Sequence, residues 1–190
     1  MTGIILGRFQ PFHLGHKKFF KEVFDHGFDD YFCIIGREKN TNKLTKKYPF
    51  TPRDTLNMIR MGVYDLVLNK HVINYYFLRD LNLSEQYPEY LFNTVYKYYK
   101  DTEFTFFAND LQTFDLFDRY SKSSKKHKFK TKILTQFSVF HDNTKPISAT
   151  EVRQMYINDT QDCILDYIDE KIHKYIIDLK LDQRLKQIYK

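Results

Sequence analysis

Two histidines three residues apart, His13 and His16, flank Leu14-Gly15 in the segment Gly7-Arg8-Phe9-Gln10-Pro11-Phe12-His13-Leu14-Gly15-His16. Imidazole N–H groups at that spacing can both reach one phosphate. The segment follows a short apolar run, Ile4 to Leu6, and precedes a stretch whose apolar residues Phe19, Phe20, Val23 and Phe24 recur at helical spacing. A phosphate there would meet free backbone N–H groups at the positive end of the helix dipole. Gly7 and Gly15 let backbone approach a ligand closely. By themselves the two histidines could also be a zinc site, for which no third ligand is evident, or buried structural rings.

A second group of donors lies far along the chain in Lys145-Pro146-Ile147-Ser148-Ala149-Thr150-Glu151-Val152-Arg153. Ser148 and Thr150 offer hydroxyls, and Arg153 offers a permanently charged fork that suits the outer phosphates of a nucleotide. Ser148 with Glu151 three residues later also reads as a capping box, in which case Arg153 is merely solvated.

The elements that must position these groups alternate. Ile4–Leu6 predicts a strand, followed by a helix closed at Gly27, and Tyr31–Ile35 predicts a strand buried on both faces. After a basic loop, Arg37 to Lys47, Thr51-Pro52-Arg53-Asp54 opens a helix to about Gly62, with Thr as N-cap and Pro at the first helical position. Val72–Leu78 reads as a strand, Pro88–Tyr99 as a helix, Glu103–Ala108 as a strand, Leu111–Tyr120 as a helix and Thr131–Phe140 as a fifth strand. From Ser148 onward the pattern is helical. The fold class expected is α/β, a doubly wound Rossmann-like parallel sheet of about five strands with a helical C-terminal extension. One domain spans 1–190, with residues 1–155 as the α/β core and 156–190 as C-terminal helices. Sheets of this kind bind ligands beyond the carboxyl ends of their strands, so the loops after the first, second, fourth and fifth strands are where chemistry is expected.

Composition narrows the classes. The chain has 190 residues, 42% hydrophobic and 28% charged, and no run approaches the roughly 18 apolar residues of a membrane span. The start, Met1-Thr2-Gly3-Ile4, is not a secretory leader, so a cytoplasmic protein is expected. Cys33 and Cys163 are far apart and read as inert. The 18 Phe and 15 Tyr are taken as core filling rather than a base-stacking platform. The net charge of +6 resides in residues 121 to 132, which hold six lysines and no acid. A solvated loop is expected there, which argues against a nucleic-acid partner.

Together, His13-Leu14-Gly15-His16 and Ile147-Ser148-Ala149-Thr150-Glu151-Val152-Arg153 resemble the paired signatures of a nucleotidyltransferase superfamily. Gly7-Arg8-Phe9-Gln10-Pro11-Phe12-His13 is similar to the archaeal-type nicotinamide mononucleotide adenylyltransferases, where cytidylyltransferases usually have Gly-Thr-Phe-Asp. The likeness extends to Pro49-Phe50-Thr51, Met58-Ile59, Asn109 and Arg184-Leu185-Lys186. It implies transfer of AMP from ATP to nicotinamide mononucleotide, giving NAD and pyrophosphate, with Mg2+ carried by the triphosphate and no protein metal ligand. Other acceptors on the same phosphate loops are phosphopantetheine, FMN or nicotinic acid mononucleotide, and a second alternative is a non-catalytic nucleotide- or nucleic-acid-binding protein that uses the Lys122 to Lys132 segment. The roles implied are catalysis for His16, His13 and Arg153, and ATP binding for those three with Gly7, Arg8, Phe9, Gly15, Asn109, Ile147, Ser148 and Thr150. Lys47, Asp80, Tyr90 and Phe92 are assigned to the mononucleotide. A homo-oligomer is compatible with the family, and no membrane partner is implied. Four features depart from the pattern: Asp54-Thr55 replaces the usual Glu-Arg, Lys47 stands nearest where an Arg is common, the chain has no Trp to stack on the nicotinamide ring, and Ala108-Asn109 stands where Gly-Asn is usual.

Overall fold

A computed structural model describes residues 1–38, 44–67, 71–99, 103–134, 147–160 and 162–190. They belong to two compact units. The first comprises Met1–Gly7, Glu22–Lys39 and Asn69–Gln136, and the second Arg8–Lys21, Asn40–Leu68 and Phe137–Lys190.

The first unit holds five strands: β1 (Thr2–Gly7), β2 (Asp30–Arg37), β3 (Val72–Arg79), β4 (Phe104–Ala108) and β5 (Phe129–Ile133). All pair parallel, in the order β3-β2-β1-β4-β5. This is the doubly wound, Rossmann-like arrangement expected. The order reverses between β1 and β4, whose carboxyl ends are Gly7 and Ala108, and such reversals are where open parallel sheets take ligands. The central strands are continuous apolar runs because both of their faces are buried: Ile4, Phe32, Ile34 and Phe106 join Leu91, Phe92, Leu116 and Phe117 in one core. The last four side chains come from α3 (Tyr87–Tyr98) and α4 (Leu111–Ser123). Phe106 stacks on Phe117 at 3.9 Å between ring centroids.

The second unit is helical. It contains most of α1 (Leu14–Phe24), whose last residues lie in the first unit, together with α2 (Pro52–Val67), α5 (Ala149–Ile157), a 3-10 turn at Ile164–Asp166, α6 (Glu170–Asp178) and α7 (Leu181–Tyr189). Within it α5 packs on α7, α2 on α6, and α6 on α7. The capping box at α2 forms as expected. Thr51 N–H donates to Asp54 Oδ2 at 3.0 Å, and Asp54 N–H donates to Thr51 Oγ1 at 3.1 Å.

Some boundaries differ from the expectation. Helix α2 runs to Val67 rather than Gly62, because Gly62 lies against the Phe12 ring, so close that an added Cβ would sit 2.3 Å from it. Its small size serves packing, not termination. The lysine-rich stretch is not one loop. Helix α4 continues to Ser123, and Lys130 and Lys132 project from β5, the sheet's edge. Exposed lysines on an edge strand discourage pairing with a further strand, which accounts for part of the charge run. The C-terminal pattern is broken by a turn at Lys180, whose φ is 53°. Residues 135–140 of the expected fifth strand, residues 39–43 of the basic loop, and Lys145-Pro146 lie outside the described residues.

Candidate active site

The early loop leaves β1 at Gly7, and Phe9 adopts a left-handed backbone with φ of 53°. A bulky residue in that region costs about 1–2 kcal/mol, and its ring is buried. The Phe9 ring meets the His16 ring edge-on at 4.9 Å and that of Phe20 at 5.7 Å. Phe12 lies 5.4 Å from His16. His13 stacks on His16 with 3.7 Å between centroids. Three rings therefore fix the orientation of one imidazole.

Local hydrogen bonding sets its tautomer. His13 is the residue before α1 and His16 the third residue within it. The His13 backbone N–H donates to His16 Nδ1 at 3.2 Å, so His16 occupies the place that Glu or Gln takes in a capping box. A nitrogen that accepts carries no proton, so neutral His16 bears its hydrogen on Nε2. Helix α1 thus opens with an imidazole donor beside its first backbone N–H groups. Of these, Leu14 N–H donates to the Tyr167 carbonyl at 2.8 Å.

His13 is 6% exposed, and among the described residues its Nδ1 has no hydrogen-bond partner. Gly15 makes room for this ring: a Cβ there would lie 3.0 Å from it and 3.8 Å from the Ile147 carbonyl oxygen. Burial pushes the His13 pKa down to about 3. His16, although partly open to solvent, is held well below the ordinary histidine value by burial and then by its proximity to His13. Both rings are therefore neutral at physiological pH, each presenting one N–H donor, and two stacked cations are avoided. A buried polar atom left unpaired is costly unless a ligand meets it.

The late loop meets the early one. Ser148 caps α5, its Oγ accepting the Glu151 N–H at 3.1 Å. Arg153, 8% exposed, donates from Nη1 to the Gln10 carbonyl at 2.6 Å, from Nη2 to Thr150 Oγ1 at 3.0 Å and from Nε to the Tyr189 hydroxyl at 3.0 Å. The guanidinium has five N–H groups, so two remain without a partner among the described residues. Arg153 is accordingly a pin between loops 143 residues apart as well as a residual donor. Ser148, Thr150 and Arg8 are exposed, and Ile147 is buried.

Lys47 lies in the same unit, half-buried, with its ammonium 5.3 Å from the Tyr48 ring centre. The remaining residues assigned from sequence belong to the first unit. Asn109 is exposed just past β4, and Asp80 follows β3, accepting the Asn82 N–H at 2.8 Å. Tyr90 is 37% exposed on α3. Phe92 needs correction as a stacking candidate: it is fully buried and stacks on Phe129 at 3.7 Å, so both of its faces belong to the core.

Several residues that sequence reasoning left without a role support the site. Gln10, 2% exposed, donates from Nε2 to Thr55 Oγ1 at 2.8 Å and accepts the Phe50 N–H at 3.0 Å, tying the early loop to the start of α2. Its place between Phe9 and Pro11 in the motif was the available signal. Asp54 stands where the resemblance has Glu, and its ion-pair partner comes from α7, where Arg184 Nη1 reaches Asp54 Oδ2 at 2.9 Å. The Tyr175 hydroxyl adds a bond at 3.3 Å. Burial would raise the Asp54 pKa, but the Thr51 hydrogen bonds and Arg184 hold it below the ordinary value. Nothing local in the sequence pairs residues 130 apart. Lys17, the first cation of α1, is engaged by Asp65 at 3.0 Å and Asp169 at 3.2 Å. Among the described residues no group of three or more His, Cys, Asp or Glu side chains could hold a metal ion, and no helix is long and apolar enough to cross a membrane. Cys33 is buried, which pushes its thiol pKa upward.

Comparison with known proteins adds four findings. Residues 4–155 match the model of a family described as Cytidylyltransferase-like. The chain is 27% identical over 195 residues to a nicotinamide-nucleotide adenylyltransferase of Saccharolobus solfataricus, covering 98% of this chain and 95% of that one. It is likewise 27% identical to the protein of that name from Pyrococcus furiosus, covering 98% and 88%. Among solved structures it shares its fold with a bifunctional NMN adenylyltransferase/ADP ribose pyrophosphatase from Francisella tularensis complexed with AMP and a manganese ion, at a TM-score of 0.67 and 20% identity. That match takes in 98% of this chain and spans about half, 52%, of the bifunctional protein.

Proposed function

The chain belongs to the cytidylyltransferase-like family, and on that premise we propose that it is a nucleotidyltransferase moving AMP from ATP onto the 5′-phosphate of nicotinamide mononucleotide. NAD and pyrophosphate are the products. The observation that carries this reading is the pair of stacked, neutral imidazoles at the open end of α1, against which the late loop is held by Arg153 on Gln10. Relatives of matching name along nearly the whole chain support the same acceptor. Residues 1–190 act as one catalytic domain in this reading.

The chemistry needs little from the protein beyond placement and charge stabilisation. An oxygen of the acceptor phosphate, already anionic at neutral pH, forms a bond to the α-phosphorus of ATP while the bond to the bridging oxygen of pyrophosphate breaks. No general base is required. His16 Nε2–H donates to the α-phosphate as its charge grows, and His13 serves the neighbouring phosphate. The two remaining Arg153 N–H groups, the Ser148 and Thr150 hydroxyls and Arg8 hold the outer phosphates. Lys47 contributes to the acceptor phosphate. A divalent cation such as Mg2+ would arrive on the triphosphate, held by phosphate oxygens and water, and would neutralise charge there.

The test is incubation with ATP and magnesium and, separately, nicotinamide mononucleotide, nicotinic acid mononucleotide, phosphopantetheine and FMN, with products detected by mass. NAD and pyrophosphate from the first acceptor are expected. Product from another acceptor alone would overturn the substrate, and no product from any would overturn the enzyme.

A further inference from the structure

We propose that Tyr189, in the last turn of α7, is a positioning residue that holds Arg153 and the Lys46-Lys47 segment together, so that the sites for triphosphate and mononucleotide depend on each other. The proposal rests on the assignment of those two segments to the two substrates made above.

Its hydroxyl is used twice. It accepts from Arg153 Nε at 3.0 Å and donates to the Lys46 carbonyl at 2.9 Å. The ring itself lies 5.5 Å beneath the Lys46 ammonium, within cation–π range. Arg153 Nε has a single hydrogen, and that hydrogen goes to Tyr189. The guanidinium plane is therefore set from three separate parts of the chain: Gln10 in the early loop, Thr150 in the late loop, and Tyr189. Losing the third lets the plane swing about its other contacts and misdirects the two N–H groups left for phosphate. The same loss frees the carbonyl next to Lys47. Helix α7 is a firm base for this link, because Arg184, one turn and a residue earlier, is anchored on the buried Asp54, and α7 packs on both α5 and α6. A continuous path thus runs from the early loop through Arg153 and Tyr189 to the residue beside Lys47, and all of it lies within the second unit.

Tyr189→Phe keeps the ring over Lys46 and removes only the hydroxyl. Hydrogen bonds to charged groups are strong enough that KM for ATP should rise about tenfold, with KM for the mononucleotide rising alongside it and kcat changing less. Placed in an Arg153→Lys background, which lacks the Nε–H, the same substitution should add less than about twofold to KM for ATP. Unchanged Michaelis constants in Tyr189→Phe would overturn the proposal. So would equal effects in both backgrounds, or a fall in melting temperature with unaltered constants for the folded fraction, since these describe a merely structural tyrosine. Calorimetric titration with ATP alone keeps the two claims apart: if the wild-type chain formed no dinucleotide, the proposed function would fail, while a tenfold weaker ATP affinity in Tyr189→Phe would still support the link and equal affinity would overturn it.

Discussion

A buried neutral histidine at the head of α1 gives the protein a measurable acid sensitivity. His13 has an unfolded-state pKa of 6.5, and burial lowers it to about 3 in the folded chain. A base whose folded pKa is depressed contributes its full share of stability above pH 6.5. As the pH falls below that value the unfolded chain takes up a proton that the native chain refuses, and stability declines until the native ring protonates near pH 3. At pH 5 this difference amounts to about 2 kcal/mol, and at its limit to roughly 5 kcal/mol. Carboxylates confuse the result little in this window, because Asp54, with its pKa held below 3.8, destabilises the fold only at lower pH. Urea unfolding of the wild type and of His13→Asn at pH 7.5 and pH 5.0, without nucleotide, isolates the effect. The substitution lowers stability at both values through lost packing, but the wild type should lose about 2 kcal/mol more than the variant between them. His16 keeps a pH dependence of its own in both proteins, weaker in the variant because His13 no longer adds to its depression, which enlarges the difference. Adding inorganic tripolyphosphate should shrink the wild-type loss, because an anion against the ring favours its protonated form. Parallel pH dependences for the two proteins would refute the burial of a neutral imidazole at this position.

Other expectations follow from the same geometry. His16→Ala should reduce turnover by ~10²-fold or more with the fold retained, as removal of an oxyanion donor does, and near-normal turnover would remove it from the α-phosphate. Arg153→Ala should weaken ATP binding and also lower the melting temperature, because the Gln10 carbonyl, the Thr150 hydroxyl and the Tyr189 hydroxyl each lose a charged donor; calorimetry and thermal denaturation read the two effects separately. Lys47→Ala should raise KM for the mononucleotide more than for ATP in steady-state assays, and equal increases would count against its assignment. Gly62→Ala should destabilise the protein by about 1–3 kcal/mol in urea unfolding, since its Cβ would meet the Phe12 ring at 2.3 Å, an overpacking that outweighs the gain of about 1 kcal/mol in helix propensity.

Much of this protein is local and so was readable from residue order. Apolar runs bounded by glycine marked β1 and β2, and the Thr51–Asp54 and Ser148–Glu151 caps placed the starts of α2 and α5, because a strand buried on both faces and a helix cap are each specified within a few residues. The two loops assigned here to phosphate were recognisable for the same reason, as short patterns of donors. What the tertiary structure decided is which side chains meet. Phe92 and Tyr90 are near neighbours on one helix, yet one faces the core and the other solvent, a choice made by Phe129 on a strand far along the chain. Arg153 reads as a solvated or ligand-seeking cation until Gln10 and Tyr189 are seen to take its hydrogens. Asp54 follows Arg53 in sequence, yet its ion-pair partner is Arg184, brought from α7. Such pairings depend on how helices pack, and the short-range pattern of a sequence carries the periodicity of each helix but not the identity of the neighbour it will find.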